Sequence, residues 1–209
     1  MKPVTYTFKR CYEELVDLKV DQGGTDGWVE QGTGLYKQFV YNLTELPDYT
    51  DFTNLFHSYK ITGVSMKMYF SNTNSGGNNT LNHANSQILM RVAPNPDGAS
   101  ANILTNPLSI DWFNQTSSTK RRLCLNTIGK PITTYTKLKQ LGEVYHNVGN
   151  SDYTVKTPRW ISTKEPSTPH YGMNCRLDRV DGATFTAGFN NNQVVRIIHT
   201  VYIKCKQVG

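Results

Sequence analysis

The densest group of side chains that could do chemistry in this sequence is a run of three cations, Lys120-Arg121-Arg122. An ammonium group offers a phosphate a point charge, and a guanidinium offers it a planar fork of donors. The run follows the polar residues Ser117-Ser118-Thr119, where a loop gives way to a strand-like segment. Two interpretations stay open at this point, a phosphate-binding site and the solvated start of a strand.

The histidines and cysteines form no metal-binding or catalytic pattern. The sequence has no HxH, HExxH or CxxC spacing, and no glycine-rich phosphate loop or nucleophile elbow. Its carboxylates give no reason to propose a glycosidase pair. We therefore expect no metal, no cofactor and no enzyme activity. The remaining expectation is structural: His199, in phase with Ile197 and Val201, is a core or interface histidine, and the cysteines are buried, reduced thiols, namely Cys11, Cys124, Cys175 and Cys205.

Composition favours strands, and the net charge favours an anionic partner. Twelve Tyr, eight Phe and three Trp accompany many Thr and Val, which suit half-buried pleated surfaces. The net charge of +6 promotes association with polyanions. The chain has no linker, repeat or long apolar stretch, so residues 1–209 are predicted to form one domain without membrane insertion.

Alternating apolar residues predict eight strands with one buried face each. In the segment 170–178 this pattern places Tyr171, Met173, Cys175 and Leu177 on one face. The long polar connections, above all 72–85 and 95–106, are expected at the outer surface. Eight strands with long loops are typical of a jelly roll, a two-sheet all-β sandwich. The predicted strands cover residues 4–12, 35–43, 59–70, 86–93, 120–126, 131–138, 170–178 and 194–206.

A short helix interrupts the strands near residues 48–57. Phe52, Leu55 and Phe56 have the i, i+3, i+4 spacing of a helix face, and Pro47-Asp48 suits a helix start. A second helical turn is expected around Trp112.

The segment 46–64, in which this helix leads into Tyr59-Lys60-Ile61-Thr62-Gly63-Val64, resembles the capsid proteins of circular, Rep-encoding single-stranded DNA viruses, the circovirus-like group. The runs Lys156-Thr157-Pro158-Arg159-Trp160-Ile161 and His170-Tyr171-Gly172-Met173, and the long last strand, share the likeness. The resemblance implies a capsid protein of the virion that self-assembles into a small icosahedral (T=1) shell around circular single-stranded DNA. It also implies assembly in the nucleus or cytoplasm of a host cell.

The resemblance also suggests which cations meet the DNA. Members of this group usually begin with an Arg-rich arm inside the shell, whereas only Lys2, Lys9 and Arg10 stand near the start here. Roughly 360 charges from about sixty copies would neutralise only part of a genome of about 1,500 nucleotides. Either the basic arm is missing from this chain or the shell packages little DNA, and we favour a missing arm. The candidate DNA-binding residues are Lys2, Lys9, Arg10, Lys120, Arg121, Arg122, Lys204 and Lys206.

Two other classes of function remain open from the residues alone. A carbohydrate-binding, lectin-like jelly roll would form small oligomers and expose aromatic rings on one concave sheet. A β-sandwich enzyme would rest only on the versatility of the fold. A host cell-surface receptor or glycan is a further candidate partner, because viral shells also bind such groups.

Overall fold

A computed structural model of the chain describes residues 4–17, 28–31, 33–72, 88–95, 109–124, 131–138, 140–147, 150–156, 159–180, 182, 184 and 193–207. Its helices are α1 (Tyr49–Leu55) and α2 (Ile110–Gln115). Its strands are β1 (Val4–Asp17), β2 (Val29–Gln31), β3 (Gly34–Tyr41), β4 (Ser58–Asn72), β5 (Ile88–Pro94), β6 (Lys120–Cys124), β7 (Ile132–Thr136), β8 (Gln140–Asn147), β9 (Asn150–Lys156), β10 (Ile161–Ser162), β11 (His170–Arg179) and β12 (Gln193–Gln207).

The strands form two large antiparallel sheets. Sheet A has the order β1-β12-β4-β10, with β7 also paired to β4, and sheet B has the order β2-β3-β11-β5-β6. The eight strands that the sequence pattern predicts all occur, four in sheet A (β1, β12, β4 and β7) and four in sheet B (β3, β11, β5 and β6). The predicted all-β jelly roll is therefore confirmed. Strands β2, β8, β9 and β10 are additions to the predicted set, and within the described residues β8 and β9 pair with each other and with no other strand.

One apolar face of each sheet contributes to a shared core. Burying one such side chain stabilises the fold by about 1.5–3 kcal/mol, so the burial of these side chains is the main interaction that holds the two sheets together. Sheet A supplies Ile61, Val64, Met66, Met68, Val195, Ile197, Val201 and Ile203, and sheet B supplies Leu35, Phe39, Ile88, Met90, Val92, Met173, Cys175 and Leu177.

A β-bulge in β4 reconciles two conflicting apolar phases. Ile61 and Val64 are both fully buried although three positions apart. Opposite them, Tyr202 pairs with Gly63 and the next residue, Ile203, pairs with Ile61, which leaves Thr62 as an extra residue. The Thr62 hydroxyl donates to the Tyr202 carbonyl at 3.1 Å. The bulge thus turns both apolar sets of β4 toward the core.

A second bulge changes the predicted face of β11. The register with β3 shifts between Tyr171 and Asn174, so that His170 pairs with Tyr41. His170 is fully buried, whereas Tyr171 is only partly buried. The prediction that Tyr171 shares the buried face of Met173 is therefore wrong, because period-two alternation does not continue through a bulge.

Helix α1 confirms the predicted helix near residues 48–57, with one difference in packing. Phe52 is buried, with its ring 5.2 Å from that of Phe8 on β1, and Phe56 lies 5.5 Å from the rings of Phe8 and Tyr6. Leu55, predicted on the same face, is 61% exposed. The helix ends at Leu55 and the backbone becomes extended at Phe56, and the ring that reaches β1 after Phe52 is that of Phe56 and not the side chain of Leu55.

The four cysteines differ in their exposure. Three cysteines are buried as expected, but Cys11 is exposed because it points outward from β1. The prediction for the loops 72–85 and 95–106 lies, apart from Asn72 and Asn95, outside the described residues. No helix in the described part of the chain is long and apolar enough to cross a membrane.

Candidate nucleic-acid interface

The face of sheet A that is turned away from sheet B carries the side chains that alternate with the core residues. Strands β1, β12 and β4 are in register there, so outward residues form rows across the sheet. Thr7, Lys204 and Lys60 form one row, and Thr5, Lys206 and Ser58 form the next. Positively charged side chains from distant parts of the sequence are thereby brought to one end of the sheet.

We call the group Lys9, Lys60, Lys204 and Lys206 the lysine face. Lys204 pairs directly with Lys60 across β12 and β4, and Lys9 pairs with Tyr202 one row further along. Like charges directly opposite each other on a sheet destabilise it unless an anion compensates them. The arrangement therefore favours a negatively charged partner on this face.

Carboxylates do not supply this compensation within the described ranges. None of the lysines of this face forms an ion pair with a described residue. Arg196 and Glu13 form an ion pair on the same face of sheet A, with Arg196 Nε 3.8 Å from Glu13 Oε2. This pair lies toward the opposite end of the sheet from the lysine face.

Trp160 lies beside the lysine face, immediately before β10. Its ring is partly exposed. Lys206 Nζ is 3.9 Å and Lys60 Nζ is 5.9 Å from the ring centroid, both within the range of cation–π attraction. Tyr202 lies in the same face, with its ring 6.1 Å from that of Tyr135. The face thus combines cations with accessible aromatic rings, as single-stranded nucleic-acid sites do.

Arg10 lies on the opposite side of β1 from Lys9. Its guanidinium carbon is 5.0 Å from the ring centroid of Phe52 and 5.9 Å from that of Phe8. Arg10 also donates to the Lys9 carbonyl at 3.3 Å. The structure therefore places Arg10 against helix α1 rather than in the lysine face.

The run Lys120-Arg121-Arg122 lies on the other sheet. It forms most of β6, which is one of the two edge strands of sheet B, and all three side chains are exposed. Arg121 donates to Asn114 Oδ1 of α2 at 2.9 Å. This run is thus separate from the lysine face, and its role in DNA binding stays a prediction. Lys2 lies outside the described residues.

The sequence pattern did not select Lys60 or Trp160. Lys60 is an outward residue of a correctly predicted strand, but its approach to Lys204 depends on which strands pair. Trp160 precedes a two-residue strand that alternation does not detect. The signal that was available is the pair Lys204 and Lys206, which are both outward residues of the clearest strand.

A second polar cluster lies between the sheets, around Glu14. Lys37 forms an ion pair with one oxygen of this carboxylate, and His199 Nε2 lies 3.3 Å from the other. His199 Nδ1 lies 3.2 Å from the Tyr41 hydroxyl, and the ring of Tyr12 stacks on His199 at 4.7 Å. The prediction that His199 is a satisfied core histidine is confirmed.

The cluster around Glu14 links strands β1, β3 and β12 through an ion pair and hydrogen bonds. Burial acts to raise the pKa of Glu14, but the hydrogen bond with His199 and the charge of Lys37 outweigh it and lower this pKa. A cavity of about 450 Å³ opens beside it, lined by Tyr12, Glu13, Glu14, Lys37, Gln38, Phe39, Val40, Glu45 and His199. Among the described residues, no three His, Cys, Asp or Glu side chains converge as metal ligands.

Solved structures with a similar fold are viral coats. The chain is similar to the BFDV capsid protein in its 60-mer crystal structure, with 11% identity, a TM-score of 0.59, and coverage of 99% of this chain and 96% of that chain. It is similar to the same protein as a decamer, with 12% identity, a TM-score of 0.53, and coverage of 98% and 100%. The mud crab tombus-like virus structure has 10% identity, a TM-score of 0.50, and coverage of 100% and 84%. These likenesses show the fold of the chain, a jelly roll of the kind that these viral coats have.

The sequence itself identifies the family. Residues 2–209 match the family described as circovirus capsid protein. The chain belongs to this family, and it is therefore a structural capsid protein of the virion. No curated protein matches the chain significantly. The family match favours the capsid hypothesis over the lectin-like and enzyme alternatives.

Proposed function

We propose that copies of this chain close into a small icosahedral (T=1) shell around circular single-stranded DNA, and that the lysine face lines the inside of this shell. The family match and the 60-mer formed by the BFDV capsid protein support the shell. The direct pairing of Lys204 with Lys60 is the observation that carries the DNA proposal.

The physical basis of binding is electrostatic and independent of base sequence. Each lysine that neutralises a phosphate releases condensed counterions, so affinity falls as salt rises. The outward face of β1 and β12 offers hydroxyls beside the ammonium groups, from Thr5 and Thr7, which suit phosphate oxygens as well. In this arrangement assembly takes place in the host nucleus or cytoplasm, where the DNA is available, and a host receptor or glycan would meet the opposite side of the shell.

The salt dependence of DNA binding tests this proposal. A labelled single-stranded oligonucleotide is titrated with the wild-type chain, with K60A/K204A and with K120A/R122A at several salt concentrations. We expect K60A/K204A to make the slope of log affinity against log salt shallower by about 1.4, since each phosphate contact with a single strand contributes about 0.7.

The matched pair on β6 identifies the alternative. K120A/R122A removes the same charge from sheet B, and we expect it to change the slope by less than K60A/K204A does. A slope that changes only in K120A/R122A would place the DNA on β6 and contradict the proposal.

A further inference from the structure

Trp160 stands apart from the other tryptophans whose surroundings the structure describes. Trp28 is only 1% exposed and belongs to the core, and Trp112 packs edge-on against Phe113 at 4.9 Å between ring centroids. Trp160 and Trp112 are both partly exposed, but the contacts described for the ring of Trp160 come from two ammonium groups, those of Lys206 and Lys60. Its surroundings are therefore those of a binding surface and not those of a core residue.

The register of sheet A places this ring among the phosphate-binding candidates. Ile161 pairs with Tyr59 and Ser162 with Ser58, so Trp160 adjoins Lys60 at the edge of β4. Lys204 is the neighbour of Lys60 on the other side. A single strand of DNA that crosses these strands would contact the cations Lys60 and Lys204 and the aromatic ring of Trp160 side by side.

We infer that Trp160 is a stacking platform for an unpaired base of single-stranded DNA, with Lys206 and Lys60 binding the adjacent phosphates. This inference rests on the proposed function, since it specifies how the lysine face holds its ligand. In the free protein the Lys206 ammonium lies over the face of the Trp160 ring, 3.9 Å from its centroid. A base that takes its place on the ring frees the ammonium for the phosphate next to that base. Stacking is sequence-tolerant because every base has a π-face.

The inference gives the site a preference that phosphate binding alone does not have. A duplex keeps its bases stacked on each other, and an abasic strand has none to offer, although both present phosphates. The lysines bind the phosphates of a duplex, of an abasic strand and of a single strand with its bases. Trp160 adds affinity for the single strand with unpaired bases.

The test compares an oligothymidylate with an abasic oligonucleotide of the same length, both fluorescently labelled, binding to the full chain. We expect W160A to lower the affinity for the oligothymidylate about tenfold, which corresponds to the loss of one stacked base, and to leave the affinity for the abasic strand unchanged. W160F retains an aromatic face and should keep most of the difference between the two ligands. Oligothymidylate should also quench a tryptophan signal that is present in wild type and in W112F but absent in W160F.

Each other result overturns the inference in a recognisable way. If W160A binds the oligothymidylate as tightly as wild type, stacking is wrong while the proposed function stands. If W160A weakens both ligands equally, the ring only positions the lysines. If the wild-type chain binds neither ligand, the proposed function fails and the stacking platform fails with it. Thermal unfolding of W160A and W160F shows whether either variant has lost its fold, and W160F carries the test if W160A has.

Discussion

Lys204 on β12 and Lys60 on β4 are direct cross-strand neighbours on the outward face of sheet A. Two ammonium groups at these positions repel each other in the free protein, and nearby described carboxylates do not compensate them. A pair of cations that lowers the stability of the free chain indicates a binding site, whose repulsion is relieved when an anionic partner binds to the folded chain.

This relationship predicts that stability and DNA binding change in opposite directions. Replacing Lys204 by Glu creates an opposite-charge pair with Lys60, so the free energy of unfolding should rise by about 0.5–1 kcal/mol. Binding of single-stranded DNA should weaken. Urea unfolding of the unassembled chain and an oligonucleotide titration measure the two effects. Lys204→Gln, which removes the repulsion without adding attraction, should have a stability between those of wild type and Lys204→Glu. A destabilised Lys204→Glu variant with normal DNA binding would show that Lys204 and Lys60 do not form an anion-binding pair.

His170 predicts a loss of stability in mild acid. Burial lowers its pKa to about 4, against which the hydrogen bond to the Thr168 carbonyl acts in part. Because the folded pKa is below the unfolded value of about 6.5, the unfolded chain binds a proton first as pH falls. Stability is then lost between about pH 6.5 and 4, at up to about 1.4 kcal/mol per pH unit.

The matched variants for this effect are His170→Asn and His57→Asn. Urea unfolding at pH 7 and pH 5 should show that wild type loses about 2 kcal/mol more than His170→Asn between the two conditions. The exposed His57→Asn variant should behave as wild type. Equal losses in all three chains would show that His170 does not titrate in this way.

Because Lys37 and Glu14 form an ion pair, we expect the free energy of unfolding to depend strongly on both side chains. The side chains are 13% and 21% exposed, so each charge is largely removed from water. Lys37→Met leaves the carboxylate without its cation and should lower the free energy of unfolding by about 2 kcal/mol. The double variant Glu14→Gln/Lys37→Met removes the unpaired charge and should recover more than half of that loss. A double variant as unstable as the single one would assign the cost to packing instead.

Leu55 predicts where one contact between copies lies. It is 61% exposed at the end of α1, and the ring of the next residue, Phe56, lies 5.5 Å from that of Tyr6, which is 41% exposed at the start of β1. A shell subunit gains about 1.5–3 kcal/mol by burying such a leucine against a second copy. We expect Leu55→Asp to raise the protein concentration needed for assembly at least about tenfold, as measured by light scattering. Leu55→Met should assemble normally, and assembly of Leu55→Asp at the wild-type concentration would remove this corner from the interface.

The sheets were predictable because alternation is a local signal. The apolar phase of β12 alone defines its core face, and the same holds for β5. The failures occur where local periodicity is interrupted. Thr62 shifts the phase of β4, and the irregularity after Tyr171 brings His170 to the core. Short strands such as β2 and β10 offer too few residues for a period of two to be recognised.

The candidate site was only partly predictable because it is assembled by non-local pairing. Lys204 and Lys206 were selected from a single strand, but nothing in the local sequence indicates that β12 lies between β1 and β4. The approach of Lys60 and Trp160 follows from that order. Arg10 shows the converse, since its sequence neighbour Lys9 faces outward while Arg10 itself packs on Phe52. Proximity in sequence is a poor guide to a shared face when successive residues alternate.

Whether the lysine face lines a closed shell and binds DNA there can be seen in a cryo-electron microscopy reconstruction of particles assembled from the full chain with single-stranded DNA. We expect a closed shell of sixty copies, as in the BFDV structure, with the outward face of sheet A lining the interior and nucleic-acid density at Lys204, Lys206 and Trp160. A chain that stays monomeric under these conditions, or a shell whose lysine face points to the outside, would contradict this expectation.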